Sequence, residues 1–195
     1  MTSKQIVRLK KKITTIKRIL SAEKRKYGTY DDSRGLRYLP VNYYIQLGDY
    51  PGGLAYTRWF YKTFPDDMGF PDFLFECTII LFKTGKLKEA EQKAFKTYCA
   101  NTYLFDKFFS RPIIPIVKWE GSNLAIPLFT DYFDYSSKKK EFADFSEWLA
   151  KLISRDDFDY QSKKYIEICK RLKTEADQET RHYLLKQISQ LSETI

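Results

Sequence analysis

Along most of the chain, apolar residues recur three and four positions apart, which keeps them on one face of a helix. In residues 3–26 the series is Ile6, Leu9, Ile13, Ile16 and Leu20, with Ser3 placed to cap the start. Leu36 to Leu47 and Pro51 to Phe64 form the next two helical runs. Pro40 suits a first turn, and Gly48-Asp49-Tyr50 turns the chain between the two runs. The pattern repeats from Pro71 through Phe82, across Lys83-Thr84-Gly85, and back from Leu87 to Ala100. On that return helix Leu87, Ala90, Ala94, Phe95 and Tyr98 share a side, and Glu89 and Lys93 stand at favourable i,i+4 spacing for an ion pair. Order weakens after Asn101, where a short helix at 103–109 is followed by an insertion at 111–128. Pro112, Pro115, Pro127 and Gly121-Ser122-Asn123 prevent a regular helix there, and Ile113, Ile114, Ile116 and Val117 favour an extended segment. Helical patterning resumes at Lys138 with Phe142, Phe145, Trp148, Leu149 and Leu152 on one face. It continues at 158–173 with Tyr165, Ile168, Cys169 and Leu172 inward, and ends in a helix bearing Tyr183, Leu184, Ile188 and Leu191, capped by Thr174 or Asp177. The prediction is an all-α protein: a helix at 1–26, then one helical body over 27–195 with hairpins at about 36–64, 71–100 and 138–173 and a C-terminal helix.

The two glycine turns lie 37 residues apart. Gly48-Asp49-Tyr50, with Gly53-Leu54 and a closing Pro65, resembles the tetratricopeptide repeat, and so does Gly85-Lys86-Leu87-Lys88-Glu89-Ala90-Glu91. The segment from Asp31 to Asp67 is similar to bacterial proteins of this class. The resemblance covers about 36–102, and 142–173 faintly. It departs from the regular repeat in its spacing, which is usually about 34. Thr102 also replaces the second closing proline, and the third hairpin has no glycine turn. It implies stacked helical hairpins whose first helices line a concave side that binds peptides. Carried over by position, the groove residues are Tyr38, Asn42 and Gln46, then Asp72, Phe75, Ile79 and Lys83. Phe75 and Ile79 make that groove apolar, so the chain's own basic helix or its insertion is a candidate to fill it.

Composition changes this picture in one place. The formal charge is +9, and residues 1–26 carry ten basic residues against Glu23 alone, leaving 24 of each sign in the remainder. Excess charge belongs to one helix and not to a face of the fold. Two readings stand. The helix packs its stripe on the body and solvates its lysines, or it docks on phosphates, anionic lipid or an acidic protein through Lys10, Lys11, Lys12, Lys17 and Arg18. An amphipathic, acid-poor start is also compatible with an organellar presequence, whereas no apolar core of a secretory signal interrupts the lysines. No run approaches the roughly 20 apolar residues of a membrane span. Cys77, Cys99 and Cys169 are odd in number and far apart, which points to buried free thiols in a reducing, cytoplasmic compartment.

Candidate chemistry is sparse. His182 is the sole histidine and has no ligand-spaced neighbours, so neither a metal nor another cofactor is implied. The pairs Asp31-Asp32, Asp66-Asp67 and Asp156-Asp157 stand beside helix starts and read as caps before general acids or bases. The aromatic and basic run Tyr56 to Lys62 has helical spacing and reads as core before base-stacking surface. Trp119, in the insertion, is the better candidate for an exposed contact. The expectation is a non-catalytic scaffold or adaptor that binds another protein, an immunity-type binder of a cognate partner being one version, through the groove residues and the insertion. The alternative is an RNA- or anionic-surface-binding protein that uses the basic helix.

Overall fold

A computed structural model describes residues 1–30 and 32–191; Asp31 and the last four residues of the expected helical body lie outside them. Helix α1 (Ser3–Tyr27) is capped by Thr2 and not by Ser3. Thr2 Oγ1 accepts from the Gln5 amide at 3.3 Å while Gln5 Oε1 accepts from the Thr2 amide at 2.7 Å, closing a reciprocal capping box. Its stripe of Leu9, Ile13, Ile16 and Leu20 is buried, and α1 lies along α2 (Leu39–Leu47). The basic helix is therefore packed on the helical body.

The first hairpin pairs α2 with α3 (Tyr50–Thr63), and the second pairs α4 (Pro71–Lys83) with α5 (Leu87–Ala100). Both turns depend on glycine at positive φ, 68° at Gly48 and 72° at Gly85, where a side chain would strain the backbone. After the first turn, Asp49 Oδ1 accepts from the Gly52 amide at 2.9 Å and caps α3. Gly53 lets α3 cross α2 and α4 closely: a methyl group there would run into Ile80 Cδ1 and sit 3.2 Å from Tyr44 Cβ. α4 is apolar nearly all round and is buried on most sides, packed by α2, α3, α5 and α7 (Ala143–Ile153).

The rest wraps this centre. α6 (Leu104–Phe108) leads into an extended stretch and a 3₁₀ turn at Pro127–Tyr132; no strand occurs among the described residues. Lys138 does not open a helix as its spacing predicts, because the regular turn begins only at Ala143. α7 and α8 (Asp156–Thr174) form the third hairpin, and α9 (Gln178–Leu191) folds back on α8 with Asp177 Oδ2 accepting from the Thr180 amide at 2.8 Å. Most helical positions expected from periodicity are buried; Ile6, Tyr98, Trp148 and Ile188 are half-buried, and Leu87 and Tyr183 face outward. Tyr56 and Phe60 lie in the core, as their spacing suggests.

The insertion is fastened down. Asn101 Nδ2 donates to the carbonyls of Leu124 at 2.7 Å and Ile126 at 3.1 Å, Tyr103 Oη accepts from the Ile116 amide at 3.0 Å, and the Trp119 amide donates to the Cys169 carbonyl at 2.8 Å. These bonds answer backbone groups that an irregular segment otherwise leaves to water. No described helix is long and apolar enough to cross a membrane.

Candidate functional site

The side of α2 and α4 expected to be an open groove is roofed by the chain itself. Phe75 and Ile79 are fully buried. Rings of Phe133, Phe108, Tyr135 and Phe145 stand 4.9, 5.1, 5.5 and 5.5 Å from that of Phe75. Residues following the insertion and the start of the third hairpin thus occupy the space that a peptide would need. This is where the apolar character of those two positions is satisfied.

The polar groove positions are engaged from inside as well. Tyr38 donates to Asp67 at 2.7–2.8 Å and accepts from Arg37 at 3.0 Å, and burial with the Asp67 charge pushes its hydroxyl up to about 12. Asn42 Nδ2 donates to Glu76 Oε1 at 2.8 Å and to Tyr135 Oη at 2.7 Å, while its oxygen accepts from the exposed Gln46. Lys83 donates to Asp144 at 2.5 Å and to the Glu141 carbonyl at 3.0 Å. Asp72 is half-buried with Oδ1 lacking a partner, and burial raises its pKa. Trp119 is half-buried, so the loop tryptophan is not a projecting contact. Most of these residues are taken up by contacts within the chain, and Gln46 stays exposed.

Beneath the roof lies a buried carboxyl that the sequence reading passes over. Glu76 Oε1 accepts from Tyr135 at 2.7 Å and from Asn42, joining α4, α2 and the covering segment in one network. Desolvation pushes the carboxyl up to about 8 despite those two donors, so it is protonated through neutral pH. A single glutamate inside the apolar run Pro71–Phe82 is a signal visible in sequence; its partner, 59 residues on, is not.

The second surface is the outward side of α1. Lys10, Lys11 and Arg18 are exposed, and their side chains take part in no hydrogen bond, ion pair or ring contact among the described residues. Lys12 and Lys17 are exposed as well but rest on the body: Lys12 sits 5.1 Å over the Tyr43 ring, and Lys17 donates to Tyr44 Oη at 2.9 Å. Among the described residues every ion pair falls at or beyond Asp32, so none of the ten cations of α1 has an acidic partner.

No protein-family model, curated protein sequence or solved structure matches the chain.

The acidic pairs do structural work where they are described. Asp32 accepts from the Leu36 and Arg37 amides at 2.8 and 2.7 Å, and Asp67 binds Arg37 and Tyr38. Asp156 and Asp157 lie in the first turn of α8, and Asp157 is held by Arg155 at 2.8 Å. Cys77, Cys99 and Cys169 are free thiols, and burial raises all three. His182 is exposed on α9, and the described residues contain no group of three or more His, Cys, Asp or Glu side chains able to share a metal ion.

Proposed function

We propose that this protein is a non-catalytic, tetratricopeptide-like binding module whose contact surface is the outward side of α1 and whose partner is the phosphate backbone of a nucleic acid. The observation that carries the proposal is the run of unpaired cations along α1. Its 25 residues extend about 37 Å. An isolated row of like charges gains nothing within its own chain and repels itself; a polyanion relieves that repulsion and releases counterions on binding.

The chemistry of the face argues for phosphate over the other anionic partners. Interfaces between proteins concentrate apolar and aromatic residues at their centre and are depleted in lysine. The outward side of α1 offers Lys4, Arg8, Lys10, Lys11, Arg18 and Arg25, with Val7 as its main apolar side chain. Insertion into a lipid surface needs an apolar stripe turned outward, and the stripe of α1 is already spent on the body. The buried position of Glu76, closed beneath Tyr135, favours a non-catalytic role because a substrate cannot reach it.

One observation favours a protein partner as a second reading. Ile114, Val117, Leu128 and Tyr132 are 73, 74, 62 and 80% exposed. Large apolar side chains left in water along one irregular segment are characteristic of contact surfaces. That reading places a scaffold or adaptor contact on the insertion and not in the filled groove.

Fluorescence anisotropy with a labelled 20-base-pair duplex and a labelled single strand tests the proposal. Wild-type protein binds at low salt, and the triple change Lys10→Gln, Lys11→Gln, Arg18→Gln weakens binding at least tenfold with unchanged helicity. Equal binding by both proteins, or none by the wild type, refutes it.

A further inference from the structure

A further cavity lies between α3, α4, α5 and α9, with Ser122 and Leu124 of the insertion at its edge. It is a cleft of about 880 Å³, within the size range of small-molecule sites. Its walls are mostly apolar, with Tyr61, Leu74, Leu81 and Ile188 among them. Three cations reach it, Arg58, Lys93 and Lys96, and two acids, Asp67 and Glu89.

Both acids are committed elsewhere. Asp67 is bound by Arg37 at 2.8 Å, and Glu89 by Arg58 at 2.5 Å. The i,i+4 pair of Glu89 with Lys93 that the sequence suggests does not form, because Arg58 from α3 takes the carboxylate. Lys93 turns into the cleft instead, its ammonium 3.9 Å from the centre of the Tyr61 ring, with the Tyr61 hydroxyl 3.9 Å from the buried Cys77 thiol. Neither Lys93 nor Lys96 has an acid within ion-pair distance among the described residues. Burial lowers the pKa of Lys93, and the nearby charges of Lys96 and Arg58 add to the effect. A half-buried cation stacked on an aromatic face, beside the equally unpaired Lys96, is poorly compensated.

We infer that this cleft binds a small amphiphilic anion, an apolar chain or ring with a single anionic head, with the head at Lys93 and Lys96 and the apolar body along Leu74, Leu81 and Ile188. Charge complementarity selects the occupant. An anionic head supplies the missing counter-charge, and the walls shield the body from water. A cationic amphiphile of equal length meets the same walls but two uncompensated like charges, Lys93 and Lys96, at the mouth.

Isothermal titration calorimetry with decanoate and with decyltrimethylammonium, both below micelle-forming concentration, tests this. Wild-type protein binds decanoate at one site at least tenfold more tightly than the cation, and Lys93→Met weakens decanoate at least tenfold. In methyl NMR of the wild type, decanoate shifts the Leu74 and Ile188 signals to saturation. The NMR arm decides the matter even if Lys93→Met does not fold. It also separates the cleft from α1, because decanoate adsorbed on the basic helix shifts Ile6 and Val7 and leaves the cleft signals still. That result, equal affinity for the two amphiphiles, or no decanoate binding overturns the inference. None of these outcomes depends on whether α1 binds nucleic acid.

Discussion

Replacing Glu76 by glutamine tests the buried network by its pH dependence. Glu76 has a pKa of about 8 in the fold against an ordinary 4.5, because its carboxylate would sit desolvated beneath Tyr135. Between those values the folded chain holds a proton that the unfolded chain has released, so stability falls as pH rises. The stability that goes with this proton is fully present below about pH 4.5 and is gone above about pH 8. At about 1.4 kcal/mol per pH unit, the loss is roughly 3 kcal/mol by pH 7 and on the order of 5 kcal/mol once complete. Glutamine keeps an Oε1 that accepts from Tyr135 and Asn42 but has no proton to lose. Urea denaturation of both proteins at pH 5, 7 and 8.5 gives similar midpoints at pH 5 and an increasingly more stable variant above it. For a chain of this size, roughly 3 kcal/mol corresponds to a melting difference of about 6–12 °C. Wild-type and variant stabilities that run parallel across this range refute a buried, protonated Glu76.

Two further predictions rest on single positions. Gly53→Ala destabilises the fold by about 1–3 kcal/mol in chemical denaturation, because the added methyl meets the fully buried Ile80 side chain at the helix crossing; an unchanged midpoint shows that the crossing is looser than described. Decanoate affinity falls as pH rises toward the lowered pKa of Lys93, before an ordinary lysine would lose its charge, whereas Lys93→Arg holds its affinity to pH 10. Identical pH profiles for the two proteins in calorimetry count against a charge-dependent head site.

Local rules made the helices legible. Three- and four-residue spacing marks the stripe of α1 and the inward faces of α7 and α8, and positive φ at Gly48 and Gly85 follows from what the turns require. What the repeat positions left open was which faces remain exposed. Tyr38, Asn42, Phe75 and Ile79 have the register of groove residues. Whether they meet a peptide or the chain's own Phe133 and Tyr135 depends on where the irregular segment after Asn101 packs. Long-range pairing of that kind has no period. The same applies to Arg58 taking Glu89 from Lys93: helical spacing offered a pair within α5, and a side chain 31 residues earlier won it. Charge on α1 was legible in number but not in partners. Lys12 and Lys17 lean over tyrosines of α2, as Lys24 does over Tyr30, while Lys10, Lys11 and Arg18 on the outward side have no such contact.

The salt dependence of nucleic-acid binding tests the central claim most directly. If phosphates engage the outward side of α1, the logarithm of the association constant falls linearly with the logarithm of salt concentration, at about 0.9 per phosphate contact on a duplex. Charge removal at Lys10, Lys11 and Arg18 then reduces that slope by close to three contacts. A slope the same in both proteins, or affinity indifferent to salt, contradicts the account.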